Sequence, residues 1–305
     1  MMRFQTLLLR EWMQHHRGWL ILMLAPITIG ALVLAFGNVN INLEVDGQRK
    51  GLPPDATVLA LMAMAATTLG TLVVSWLTMA LQLPGLARRD QQDRSIEFWL
   101  SLPTGHAQSL GATLLMHLLL MPWLALLLGA AGGQVIAMLL VSKAQGLAAW
   151  ICLPWASVLL GMAALTLRLA LGAALAMLWL SPLLLGAMAA SAWLKRWGLP
   201  ALIGTVVGVG LVADKGYGTT LVWDTLQQLG QQAAHALLAG GGKMGGLHLD
   251  ADSDVPAALG RLPQWAWYDA LAALQALGSG LLIGALAVAA GCFGLLVLRR
   301  QRGAA

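Results

Sequence analysis

Long apolar runs separated by short polar stretches dominate this chain. A run of about 18 or more apolar residues is long enough to cross a bilayer as a helix. The pattern predicts such spans at about 19–36, 57–83, 110–141 and 267–298. The apolar stretch 147–190 exceeds one crossing of about 20 residues, so it divides into 147–167 and 169–190. Arg168 then falls in a tight turn, its charge snorkelling to the interface. The expectation is an all-α polytopic integral membrane protein with about six spans. Ahead of the first span, residues 1–18 place Phe4, Leu7, Leu8 and Trp12 at helical spacing, with Arg3, Arg10, Glu11 and Gln14 off that stripe. Such a stretch predicts an amphipathic elbow helix lying in the interface. Segment 199–212 is apolar but short and carries Gly204, Gly208 and Gly210, which predicts a re-entrant or interfacial piece before the last span. It belongs to an outer-face region, 191–266. That region also holds a surface helix at 219–238, with Val222, Leu226, Leu229, Ala233 and Leu237 on one stripe, and an acidic loop at 240–263.

Composition agrees with this pattern. Of 305 residues, 59% are hydrophobic and 10% charged, against about 25% charged in soluble domains. The many runs exclude a single secretory signal as their source. Cys152 and Cys292 both lie within apolar runs and read as buried thiols, with no disulfide or metal framework. The pI of 9.7 comes from Lys and Arg at the ends of apolar runs, the mark of a cytoplasmic membrane face rather than of a nucleic-acid binder. Placing both termini, the loop 86–109 and Arg168 in the cytoplasm gathers 10 of the 18 Lys and Arg on about 50 residues. That orientation requires an even number of crossings.

Several motifs fail on their details. Gly240, Gly241, Gly242 and Lys243 suggest a phosphate loop, but Leu237 stands where the first glycine is needed and Met244 where Ser or Thr is needed. This chain is therefore expected to hold no ATPase site and no cofactor of its own. No HExxH, GxSxG or metal-spaced His/Cys set occurs; His15, His16, His106, His235 and His248 are scattered, so no catalytic or metal site is expected. Asp250, Asp252 and Asp254 lack the glycine and glutamate of a calcium loop. His117 lies about two turns into the third span and is a candidate intramembrane polar site, against the plainer reading of a neutral ring bonded to nearby backbone. The spans show no paired carboxylates or Asp/Glu/His chains, which disfavours a proton-coupled carrier. Gly280 and Gly284 form a GxxxG match in the last span.

The most charged stretch follows the second span. In RRDQQDRSIEFWLSLPTGHAQSLGA, Asp90 and Arg94 form an i,i+4 pair, Ile96, Trp99 and Leu100 share a helical face, and Pro103 ends the helix. Phe98 and Trp99 beside charges suit either a protein docking patch or a helix resting on headgroups. Three features resemble, in the same order, the membrane subunits of type-2 ABC exporters. They are the N-terminal LLLREWMQHHRGWLI, the cytoplasmic DRSIEFWLSLPTGHAQSLGATLL and the small-residue TLRLALGAALAMLWLSPLLL. Gly111-Ala112 lacks the Lys often found there, and 195–263 is longer than a bare re-entrant hairpin.

The resemblance implies a permease subunit that moves its substrate, by export, across a bacterial cytoplasmic membrane. Each chain would work as a homodimer or heterodimer with a separate ATP-binding cassette protein carrying ATP and magnesium. Ile96, Glu97, Phe98 and Trp99 would form the coupling helix, with Glu11 and Trp12 touching the same partner. A membrane scaffold and a secondary transporter are the alternatives.

Overall fold

The computed structural model describes residues 2–37, 55–92, 105–239 and 255–302. The described residues are almost wholly helical and include no strand. In order, the helices are α1 (Met2–Phe36), α2 (Ala56–Gln92), α3 (His106–Leu115), α4 (Met121–Gln145), α5 (Leu147–Ile151), α6 (Trp155–Leu194), α7 (Gly198–Tyr217), α8 (Leu221–Leu237), α9 (Val255–Gln275) and α10 (Gly280–Arg302). A π-turn, Met116–Leu120, joins α3 to α4. Five stretches are long and apolar enough to cross a membrane: Phe4–Phe36, Ala56–Leu86, His106–Gln145, Trp155–Tyr217 and Gly280–Arg302. The chain is thus an all-α, multi-pass membrane protein.

Lipid offers no partner for backbone N–H and C=O groups, so an apolar span must satisfy them internally as a helix. The residues comply: α6 is mostly Ala, Leu and Met, all strong helix formers. Pro26, Pro84 and Pro182 sit inside α1, α2 and α6 without ending them.

Helix α6 is the central column, touching α2, α4, α7, α8, α9 and α10. Its start packs Val158 and Met162 against Leu59, Val141 and Leu259. Its middle packs Leu175 and Trp179 against Leu229, Ala273 and Leu282. Its far end packs Met188 and Ala192 against Leu83, Leu110 and Leu296. Helices α2 and α9–α10 therefore run parallel to α6, and α3–α4 runs against it. The α2–α4 contact is the closest. A Cβ on Gly133 would meet Met64 Cα at 3.0 Å, and one on Gly129 would meet Thr68 Cα at 2.8 Å. Thr71 Oγ1 donates across this seam to the Ala125 carbonyl at 3.0 Å.

The bundle has a basic end and an opposite end. At the basic end, Arg299 and Arg302 both lie 5.7 Å from the Trp193 ring, Arg299 Nε donates to the Ala192 carbonyl, and Arg300 interacts with Arg10 and Glu11. At the opposite end, Lys143 Nζ reaches the carbonyls of Leu34 (2.8 Å) and Gly37.

Three expectations need correction. There is no hairpin at Arg168: α6 continues through it for 40 residues, about 60 Å at 1.5 Å per residue. Dividing 147–190 by span length alone assumed that a helix stops at the bilayer surface. The elbow 1–18 is not a separate helix, because α1 runs unbroken for 35 residues and turns Leu7, Glu11 and Trp19 inward. Segment 199–212, expected to be re-entrant or interfacial, lies within the 20-residue helix α7, which follows α6 after a sharp turn where Lys195 takes φ 55°. The last span begins at Gly280 rather than at 267, since extended Ser279 separates α9 from α10. The expected surface helix at 219–238 corresponds to α8, which buries Leu229, Ala233 and Ala236 and exposes Gln227, Gln228 and Gln231.

Candidate functional site

Near the basic end, α1 crosses the junction of α3 and α4. Glu11, His15 and Trp19 recur every four residues and so share one face of α1. Facing them is the π-turn. Pro122 has no N–H to continue the α-helical ladder, and the residue before it, Met121, donates instead to the Met116 carbonyl five residues back. The turn buries His117 between the helices.

The side chains converge. Glu11 and His117 are each 2% exposed, and ligand-type atoms of Glu11, His15 and His117 all lie within 4.8 Å of one another. Glu11 Oε1 accepts from Arg10 and from Thr113 Oγ1 at 3.2 Å. His15 Nδ1 meets the Glu11 carbonyl at 3.1 Å, and His117 Nδ1 meets the Thr113 carbonyl at 2.9 Å. A carbonyl only accepts, so both Nδ1 atoms carry hydrogen, and in the neutral ring each Nε2 presents its lone pair. His15 stacks on Trp19 with centroids 4.8 Å apart. His117 stands edge-on to His15 and Trp19 at 5.2 and 4.9 Å. A cavity adjoins them, lined in part by Trp19, Ser75, Thr78, Gln82 and His117. Trp19 Nε1 donates to Gln82 Oε1 at 3.4 Å.

A second polar node lies deeper along α6. Arg168 is 3% and Asp269 6% exposed. Arg168 Nε donates to Asp269 Oδ2 at 2.8 Å, with Nη2 at 2.6 Å from the same oxygen. Arg168 Nη1 donates to the Ala236 carbonyl in the last turn of α8 at 3.1 Å, where the helix dipole favours a cation. Asp269 Oδ2 also accepts from the Ala239 N–H at 3.1 Å. Gly172 makes room for this approach: a Cβ there would lie 2.8 Å from the carbonyls of Ala236 and Leu237. Arg168 is therefore buried in the protein and ion-paired with Asp269 of α9, rather than carrying a lone charge to the headgroups.

The expected site residues fare differently. Ile96, Glu97, Phe98 and Trp99 lie outside the described residues. Glu11 is turned into the protein rather than offered to a partner. Trp12 is half-buried and stacks on His16 at 5.8 Å. His117 is indeed a buried polar group, bonded to its own helix backbone. His15 and Asp269 were missed. The Glu11-x-x-x-His15 spacing was a usable signal; the partner of Arg168, 101 residues away, left none. Comparison with protein-family models, with curated proteins and with solved structures finds no match to this chain.

Proposed function

We propose that this chain is the membrane-spanning permease subunit of an ABC exporter, driven by a separate ATP-binding subunit and working as a dimer. The observation that carries the reading is the gathering of α1's first half, the ends of α2, α6 and α10 and the start of α3 at the basic end. The end of α2 and the start of α3, which bracket positions 93–104 in the sequence, both lie at that end. Basic residues favour the cytoplasmic side. Three of the 18 Lys and Arg lie before residue 18, three at 88–94, two at 195–196 and three in the tail, so 11 share this side.

This reading gives the chain six crossings. Lys195 and Arg196 leave α6 at the basic end, α9 starts at the opposite end beside Val158 and Met162, and α7 with α8 carries the chain back between them. α10 then returns to the basic end. In the type-2 exporters that the sequence resembles, the charged loop after the second span engages the ATPase. Here Phe98 and Trp99 anchor it and Glu97 supplies a charge for a basic residue of the partner.

The test is purification from native membranes in mild detergent with mass spectrometry of co-eluting proteins. A stoichiometric P-loop ATPase is expected, lost from Trp99→Ala and Glu97→Arg while the membrane domain stays monodisperse. Reproducible absence of an ATPase, or undiminished association of both variants, contradicts the reading. A secondary carrier is favoured by one observation, the buried Arg168–Asp269 pair, because ionisable groups enclosed in a membrane protein's helix bundle are functional candidates. Transport that collapses with the proton or sodium gradient, without ATP dependence, would support it.

A further inference from the structure

The geometry points to a binding site for a divalent transition ion of the zinc class, formed by Glu11, His15 and His117. This inference is independent of the proposed transport role. One carboxylate and two imidazoles form a donor set suited to zinc with one position left for water. The two histidines are already set in the tautomer such a site requires. Each Nδ1–H is committed to a backbone carbonyl, the outer-shell arrangement that directs Nε2 at a metal. Glu11 is steadied in the same way: Oε1 accepts from Arg10 and Thr113.

The distances are compatible. One ligand-type atom from each of Glu11, His15 and His117 lies within 4.8 Å of the other two. A tetrahedral ion with bonds of about 2.0–2.1 Å holds its ligands about 3.4 Å apart. Closing to that separation takes a shift of about 1.4 Å, which moves Glu11 and His15 from the side-chain positions seen here. Two of the three donors are almost wholly removed from solvent. The Glu11 carboxylate already pairs with Arg10 and lies near Arg300, so a bound ion would share it with two guanidinium groups. The adjoining cavity brings Ser75, Thr78 and Gln82 to the side of His117, polar groups able to hold a metal-bound water. Such an ion would tie α1 to the π-turn.

The experiment uses the full chain, purified in mild detergent with any affinity tag removed, stripped with a chelator and titrated with Zn²⁺ by calorimetry. Co²⁺ serves as the spectroscopic probe. One ion per chain is expected, with visible Co²⁺ absorption of a low-coordinate N/O site. Because even outer-shell partners cost about 10–100-fold in affinity, His15→Gln and Glu11→Gln should each weaken binding at least about 100-fold. His117→Gln should do the same. His235→Gln, at an exposed position on α8, should bind as wild type. His15 is only half-buried, so its variant remains informative if His117→Gln fails to fold. Absence of saturable Zn²⁺ uptake by the wild-type chain overturns the inference. So does wild-type affinity in His15→Gln and Glu11→Gln.

Discussion

At the scale of single residues, the strongest energetic statement concerns Arg168 and Asp269. Taking two charges out of water is expensive, and their attraction recovers that cost only when every remaining donor and acceptor is met. Here Ala236 and Ala239 supply the additional partners. Removing one member strands the other, so Asp269→Asn or Arg168→Met should destabilise the fold by about 3–5 kcal/mol. Replacing both with apolar residues, as in Arg168→Met with Asp269→Leu, should recover most of that loss. Unfolding in mixed micelles measures it; equal losses in the single and double variants would deny the pair its structural role. The pair also shows why sequence reading stopped short. A lone arginine in an apolar run looks interfacial until its partner is known, and Asp269 stands 101 residues further along the chain. The Glu11–His15 spacing was visible, but His117 joins it only through the π-turn at Pro122.

At the scale of elements, small residues decide where backbones meet. The glycines that touch are Gly129 and Gly133 on α4, against Thr68 and Met64 of α2. The GxxxG match at Gly280 and Gly284 meets nothing within 4 Å in this chain. Bulky substitution separates the two cases. Gly133→Leu should force α2 from α4 and cost at least about 1–3 kcal/mol, as overpacking does. Gly284→Leu should leave monomer stability within about 0.5 kcal/mol. A comparable loss in both would contradict the packing described. Periodicity alone could not separate these glycines, because both pairs have the same spacing and only tertiary contact distinguishes them. The spans 57–83 and 110–141 and the stripe of α8 were legible, since each has a single apolar identity bounded by polar residues or proline. Helix α6 was not, because nothing in its sequence marks where lipid ends, and a helix of mostly Ala, Leu and Met continues past the bilayer.

At the scale of the whole molecule, the proposed reading has six crossings, with a different assignment from the one expected. Two expected spans merge into α6, and the region expected on the outer face instead carries the chain from one end of the bundle to the other. Lys195 and Arg196 move to the side of the termini, and Arg168 leaves the cytoplasmic set for the interior. Charge thereby becomes more one-sided than the sequence reading had it, which strengthens the orientation on the positive-inside principle.

Side-specific cysteine labelling tests this arrangement most directly. In a chain with Cys152→Ser and Cys292→Ser, single cysteines are introduced at Arg17, Arg196, Lys143 and Arg261. Intact cells with a permeable outer layer are then treated with a membrane-impermeant maleimide. Arg17→Cys and Arg196→Cys should stay unlabelled until the membrane is opened, whereas Lys143→Cys and Arg261→Cys should react at once. Labelling of Arg196→Cys from outside, with Arg17→Cys protected, would place the end of α6 on the wrong side and contradict the six-crossing account.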